Sequence, residues 1–64
     1  MSYLVIDRKL LLVWRTDSLA AADHIASTDA LGVEQIAWSI EQCGRCDGND
    51  YTIIEEEWKG ESEI

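Results

Sequence analysis

The sequence contains no proline or phenylalanine, and only four glycines among its 64 residues. Hydrophobic residues make up 47% of the chain, which separates it from the polar, proline-rich sequences of disordered proteins. We therefore expect a packed fold. A chain of this length buries only about 60% of the surface that its unfolded form exposes, so it supports one domain, spanning 1–64, and no second one.

Long hydrophobic runs are also absent, because the longest, from Leu10 to Trp14, has five residues. A membrane-spanning helix needs roughly 18. The charged residues Asp7, Arg8 and Lys9 lie where a secretory signal would carry its apolar segment. The sequence therefore predicts no membrane partner, no export and a cytoplasmic location.

Basic residues are scarce: 5 Lys and Arg stand against 13 Asp and Glu, giving a formal net charge of -8. Such a chain is repelled by a phosphate backbone, which proteins bind with Lys and Arg, so we do not expect nucleic acid as a direct partner. The charge is uneven. Residues 41–64 contain eight acidic and two basic side chains, whereas residues 1–40 contain five and three.

The first half of the chain has strand and then helix signals. Residues 3–6 and 10–15 are rich in β-branched and aromatic side chains, and the charged residues 7–9 between them predict a hairpin with a three-residue loop. One long bent strand is the alternative. The cap candidates at 16–18 then predict an alanine-rich helix from Leu19 to Ser27.

A second helix is predicted by apolar residues at helical spacing. It begins at Ala30 or Val33, after the cap candidates Thr28 and Asp29, and ends at Cys43, with Gly44 as its C-terminal cap. Residues 45–50 have turn composition and 51–58 predict a third strand, followed by a fraying tail at 59–64. The expected fold is α+β, with a three-stranded antiparallel sheet covered on one face by two helices, in the order ββααβ.

Cys43 and Cys46 form a C-x-x-C pattern that is typical of redox or zinc sites. Its predicted place argues against both, because Cys43 would end a helix, where the negative end of the dipole disfavours a thiolate. A structural zinc needs four ligands, and His24 is the only histidine. We expect reduced bystander thiols, or a disulfide between Cys43 and Cys46, and no metal or other cofactor.

Catalytic patterns are missing as well. The serines and threonines fall in predicted caps and turns, no glycine-rich loop could bind a phosphate, and no pair of carboxylates is marked for acid-base work. A chain this short also has little room for an enclosed pocket. The sequence therefore predicts a protein that is not an enzyme and that acts by binding.

Tryptophan is frequent for a chain of this length, and it often anchors protein interfaces. For Trp14 and Trp58, a position in the core is as consistent with the sequence as a position in an interface. Trp38 differs, because at 100° per residue it lies about 160° from the centre of the apolar stripe of its helix. We expect it to be partly exposed beside Glu34 and Glu41.

The run from Glu55 to Glu57 is usually no more than a solvated strand end. In a strand, however, Glu55 and Glu57 would lie about 6.7 Å apart on one face, a distance similar to that between successive phosphates of a nucleic acid. With the neighbouring acids, one edge of the fold would then resemble a DNA backbone. The predicted partner-binding residues are Glu34, Trp38, Glu41, Asp47, Asp50, Glu55, Glu56, Glu57, Glu61 and Glu63.

In size, in net charge and in these clustered acids, the chain resembles the small proteins that phages use to block host defence, in particular DNA-mimicking anti-CRISPR proteins. The resemblance implies an inhibitor in the host cytoplasm. It would occupy the DNA-binding or PAM-reading surface of a CRISPR effector complex, its carboxylates pairing with the Lys and Arg that otherwise hold phosphates. The partner would be a basic nucleic-acid-binding protein, and the inhibitor itself a monomer or weak dimer.

Two other functions remain open from the residues alone. The first is a small protein-binding module, such as an antitoxin or regulatory subunit, that uses apolar sheet surface. It is suggested by the run from Leu10 to Trp14, which would leave apolar side chains on both faces of a sheet. The second is a thiol or metal protein that works through Cys43, Cys46 and His24.

Overall fold

A computed structural model describes residues 2–57 of the chain. The protein is α+β, with two helices and a four-stranded antiparallel sheet in which the strand order is β2-β1-β4-β3. Along the chain the elements are β1 (Tyr3–Asp7), β2 (Leu12–Thr16), α1 (Leu19–Ile25), a 3₁₀ turn (Ser27–Asp29), α2 (Val33–Cys43), β3 (Arg45–Asp47) and β4 (Tyr51–Glu55).

The prediction of three strands in the order ββααβ is wrong in detail, because β3 forms where turn residues were expected. Only 48–50 are needed to reverse the chain, which leaves Arg45–Asp47 to pair with β4. The burial of Cys46 explains why a strand forms here, because the strand places this side chain in the core opposite Ile53. The strand predicted at 51–58 ends at Glu55. Trp58 and the predicted tail at 59–64 lie outside the described residues.

The first hairpin is confirmed, with a longer loop than predicted. Strand β1 extends through Asp7, β2 begins at Leu12, and four residues connect them. The Asp7 carboxylate explains the difference, because its Oδ1 accepts the backbone N–H of Lys9 at 2.9 Å and of Leu10 at 3.0 Å. The loop is therefore closed by an aspartate, while Leu11 takes the left-handed conformation, at φ 59°, that glycine or asparagine usually supplies.

Both helices form where they were predicted, although α1 ends two residues earlier than expected. Helix α1 starts after Ser18, whose Oγ accepts the N–H of Ala21 at 3.3 Å. It stops at Ile25 rather than Ser27, because the chain tightens there into the 3₁₀ turn. Helix α2 ends at Gly44, which has the left-handed conformation expected of a C-terminal cap.

The expected cap of α2 by Thr28 or Asp29 is wrong. Gly32, at φ 86°, occupies the N-cap position and makes no side-chain cap bond. The backbone N–H of Gly32 donates a hydrogen bond of 3.0 Å to the Asp23 carboxylate of α1, which ties the interhelical loop to the first helix. The side chain of Asp29 is consequently available for contacts elsewhere in the fold.

The core lies between one face of the sheet and the two helices. Alternate residues of β1 are buried on this face, and Val5 lies opposite Ile53 of β4. Both helices contribute to the same cluster, as expected for helices on one face of a sheet. The buried apolar residues are Tyr3, Val5, Ala22, Ala26, Ile36, Ile40, Cys46 and Ile53. None of the helices among residues 2–57 is both long enough and apolar enough to cross a membrane.

Candidate functional site

The most exposed apolar segment of the protein is the tip and outer strand of the first hairpin. We call it the apolar edge and define it as Leu10, Leu11, Leu12, Val13 and Trp14. These side chains are 64%, 83%, 47%, 60% and 36% exposed, in that order. A soluble monomer seldom leaves so many neighbouring apolar side chains in contact with water unless they bind something.

The apolar edge is exposed because β2 is the outermost strand of the sheet. Leu12 and Trp14 point to the helix-covered face, since they lie opposite Asp7 and Val5, whereas Val13 points to the other face. Apolar side chains therefore occupy both faces, as the sequence predicted. The outer side of β2 also has no neighbouring strand among residues 2–57, so its backbone groups there are open to pairing.

The opposite edge of the sheet, formed by β3, is protected against pairing with another strand. Strand β3 has only three residues, and its two outward side chains form an ion pair in which the Arg45 Nη2 lies 2.8 Å from Asp47 Oδ1. Asp47 also accepts a hydrogen bond from the Thr52 hydroxyl at 2.8 Å. The bonds from Arg45 and then Thr52 lower the pKa of Asp47, and its carboxylate raises the pKa of Arg45. A short, charged strand is a poor template for another strand.

Apart from Glu41, which lies on α2, the described acidic residues beyond residue 40 divide into two groups at opposite ends of β4. Glu55 ends the strand, and its N–H bonds the carbonyl of Gly44 at the end of α2. Asp47 and Asp50 instead flank the turn that precedes β4. A strand of this length separates the groups by about 13 Å.

Two of these acids are paired with cations. Besides Asp47, Glu56 accepts two bonds from Arg15, at 3.0 Å from Nε and 2.9 Å from Nη2. Glu57 lies beyond the end of β4, so the strand does not hold it in a row with Glu55. Two of the acids on which the DNA-mimic prediction depends therefore already have cationic partners, and the continuous acidic surface stays a prediction. Glu61 and Glu63 lie outside the described residues.

Glu55 is half-buried on the helix-covered face, opposite Tyr3 at the start of β1. Burial raises the pKa of the Tyr3 hydroxyl, and the negative charge of Glu55 raises it further.

Helix α2 carries a different surface. Trp38 is 61% exposed, as its helical projection predicted, and lies between the exposed residues Glu34 and Glu41 at one-turn spacings. A wide hollow of about 550 Å³ adjoins it at the start of the helix. It is lined by Leu31, Gly32, Val33, Glu34, Gln35 and Trp38. This face combines two carboxylates with one large apolar anchor.

The two cysteines occupy unlike environments. Cys43 is an exposed free thiol at the end of α2, whereas Cys46 is a buried free thiol on the helix-covered face of β3. The disulfide between them stays a prediction. His24 is exposed in the last turn of α1. Within residues 2–57, no group of three or more His, Cys, Asp or Glu side chains is placed to hold a metal ion.

Sequence reasoning missed the structural role of Asp29. Its carboxylate accepts the backbone N–H of Asp50 at 3.1 Å and of Tyr51 at 3.0 Å, fastening the second hairpin to the interhelical loop. Gly48 leaves the space for this contact, because a Cβ on it would overlap Asp29 Oδ2. The partners are 21 and 22 residues apart in the chain, so no local pattern could have revealed them.

Comparison with known protein families, with curated proteins and with solved structures found no match. The function is therefore argued from the surfaces of this protein. Two of them qualify: the apolar edge, and the outer face of α2 with Glu34, Trp38 and Glu41.

Proposed function

We propose that this protein is a small, non-catalytic protein-binding module, of the antitoxin or regulatory-subunit kind, that binds through its apolar edge. The observation that carries the proposal is the exposure of five consecutive apolar residues, from Leu10 to Trp14, at the tip of the first hairpin and on the outermost strand. An open strand edge binds another chain by adding a strand to the sheet. The backbone then supplies hydrogen bonds, and the side chains on alternate faces supply specificity.

A difference in length and charge between the two edge strands of the sheet supports this proposal. The short strand β3 has the Arg45–Asp47 ion pair on its two outward residues, whereas the longer β2 has one ion-paired residue, Arg15, beside three exposed apolar ones. Exposed apolar edge strands are an aggregation hazard that natural proteins avoid or cover. A chain that protects one edge and leaves the other apolar is expected to cover the second edge by binding.

The proposal is tested by comparing what two lysine variants bind. Val13→Lys places a charge on the apolar edge, where the Val13 side chain is 60% exposed and outside the core. Val33→Lys is the matched control, with the same change at a 39% exposed position of α2. Each protein is cross-linked in cells and its adducts are identified by mass. Adducts that disappear with Val13→Lys and persist with Val33→Lys support the proposal, whereas identical adduct patterns contradict it.

A second candidate function is the acidic inhibitor of a nucleic-acid-binding defence complex, such as a CRISPR effector, acting in the host cytoplasm. The net charge of -8 and the exposed face with Glu34, Trp38 and Glu41 favour it. Carboxylates there would pair with phosphate-binding Lys and Arg of the target, and Trp38 would add a desolvated contact. The ion pairs of Asp47 and Glu56 weaken it, because these acids already have cationic partners.

The ionic strength of the solution separates the two functions. Binding by Glu34 and Glu41 to a basic target should weaken steeply with salt, because exposed charges are screened within about 8 Å at physiological ionic strength. Binding by the apolar edge should change little. The measurement is affinity for a purified effector complex over a salt series, with Glu34→Lys and Glu41→Lys against Val13→Lys. Salt dependence with loss only in the first two variants would favour the inhibitor.

A further inference from the structure

Charges at the two ends of β2 have opposite signs. Lys9 lies in the loop before the strand, and Asp17 follows the strand directly. Two β2 strands placed side by side in parallel would bring like charges together. An antiparallel arrangement would bring Lys9 of each copy near Asp17 of the other, so charge complementarity favours a two-fold pairing of this strand with itself.

The residues along β2 are compatible with the same pairing. With the two-fold axis at Trp14, Val13 lies opposite Arg15 of the second copy and Leu12 lies opposite Thr16. Opposed residues then share a face of the sheet, and the only charged residue of the strand does not meet itself. The two Trp14 rings would lie together on the helix-covered face, where each is otherwise 36% exposed.

The charge distribution of the whole chain also favours this surface. Two chains of net charge -8 repel each other over most of their surfaces. Residues 3–17, however, contain three basic and two acidic side chains, which makes the first hairpin weakly positive. Two copies that meet through their β2 strands keep the acidic remainder of each chain away from the contact.

The area and the number of open edges fit a closed pair. The apolar edge exposes on the order of 500 Å² of side chain, and pairing would also cover backbone, which approaches the roughly 800 Å² per partner of a standard stable interface. Pairing of β2 with β2 uses the open edge of both copies. The outer edges of the combined sheet are then the protected β3 strands, so the assembly stops at two.

We propose that the apolar edge binds a second copy of this chain, by antiparallel β2–β2 pairing about a two-fold axis at Trp14. The result is a continuous eight-stranded sheet with all four helices on one side. This inference rests on the proposed function and names its partner. The outer faces of both α2 helices remain uncovered in the pair.

Sedimentation equilibrium of the purified chain over a concentration series tests the pairing. The wild-type protein is expected to be a dimer, and Val13→Lys should raise the dissociation constant at least tenfold, because the new lysine faces Arg15 of the second copy. Val33→Lys, on α2, should leave the dissociation constant unchanged. Circular dichroism of each variant checks that it is folded. A monomeric wild-type protein, or equal effects of the two lysines, would overturn the inference.

A charge exchange provides a test that misfolding cannot mimic. Asp17→Lys and Lys9→Glu should each weaken the dimer severalfold, and the double variant should restore it, because opposite charges again lie near each other, two positions apart across the pairing. Failure of the double variant to recover overturns the two-fold arrangement. A monomeric wild type that still binds a different protein through Val13 would overturn the inference alone, whereas no association of either kind would also overturn the proposed function.

Discussion

The two hairpins of the sheet are both antiparallel, but they differ in how their turns are held and in how exposed their outer strands are. In the second, β3–β4, the turn is held by the Asp29 carboxylate and the outer strand by an ion pair. In the first, β1–β2, Asp7 closes the loop from within, the Arg8 N–H donates to the carbonyl of Asp50 at 2.9 Å, and the outer strand is exposed on both faces. The guanidinium of Arg8 bridges the two by donating to the carbonyl of Gly48.

This difference shows that secondary structure alone does not decide what a strand does in a small protein. Strand β3 has only three residues, yet its central residue is buried and its neighbours are charged, so it closes the sheet. Strand β2 has five, and most of them face water, so it leaves the sheet open. The strand with the stronger β-forming sequence is therefore the one that contributes least to the core and most to a surface.

The largest expected effect concerns the support of the second hairpin. Asp29→Ala should lower the free energy of unfolding by about 3 kcal/mol, because the partly buried N–H groups of Asp50 and Tyr51 lose a charged acceptor. Urea denaturation measures the change. Glu57→Ala removes the same charge from an exposed turn and should change stability by less than about 0.5 kcal/mol. Equal losses in both variants would contradict the role of Asp29.

A second prediction concerns Gly48, which leaves space for the Asp29 carboxylate in the second hairpin. Gly48→Ala should cost about 2 kcal/mol, because the added methyl group overlaps the Asp29 carboxylate and displaces it from the turn. The cost should shrink in an Asp29→Ala background, where the overlapping atom is gone. Asn49→Ala, at the exposed neighbouring position, serves as the control and should have little effect. Additive costs in the double variant would show that the two residues are not coupled.

In the first hairpin, by contrast, one substitution should stabilise the protein. Leu11 holds a left-handed conformation at φ 59°, which costs a leucine about 1 kcal/mol and an asparagine less. Leu11→Asn should therefore raise the free energy of unfolding by up to about 1 kcal/mol. Leu10→Asn makes the same chemical change at an exposed position outside the left-handed region and should bring no such gain. Thermal denaturation of a dilute sample compares the two.

The smallest expected effect is a dependence of stability on acid at the protected edge. The pKa of Asp47 is lower in the folded protein than in the unfolded chain, so its stabilisation is complete above about pH 4 and is lost as the pH falls through the folded value. Because the side chain is half exposed, the loss should be about 0.5 kcal/mol. Urea midpoints of wild type and Asp47→Asn should converge in acid. A constant difference between them at every pH would contradict this assignment.

Much of the fold was predictable from local patterns. The alanine-rich helix after Ser18, the helix that ends at Gly44 and the first hairpin are all specified by neighbouring residues, through caps and hydrophobic periodicity. Strand β3 was not, because its three residues carry no periodic signal and form a strand only when β4 is beside them. The exposure of Trp38 was predictable for the same reason as the helix that carries it.

The candidate binding surfaces were predictable only in part. The apolar run from Leu10 to Trp14 indicated a sheet surface, but not that the strand would lie at an edge. The acids appeared as one cluster in the sequence, whereas the fold places Glu41 on α2, separates the other described acids between the two ends of β4, and pairs Glu56 with Arg15, 41 residues away. Spacing along the chain cannot reveal such a contact.

By itself, the sequence determined the net charge, the positions of the helices and the presence of one continuous apolar segment, because each depends on composition or on residues within a few positions of one another. The tertiary structure decided which strand lies at the edge, which acids have cationic partners and what holds the second turn. These outcomes depend on residues far apart in the chain that meet only when the sheet closes on the two helices.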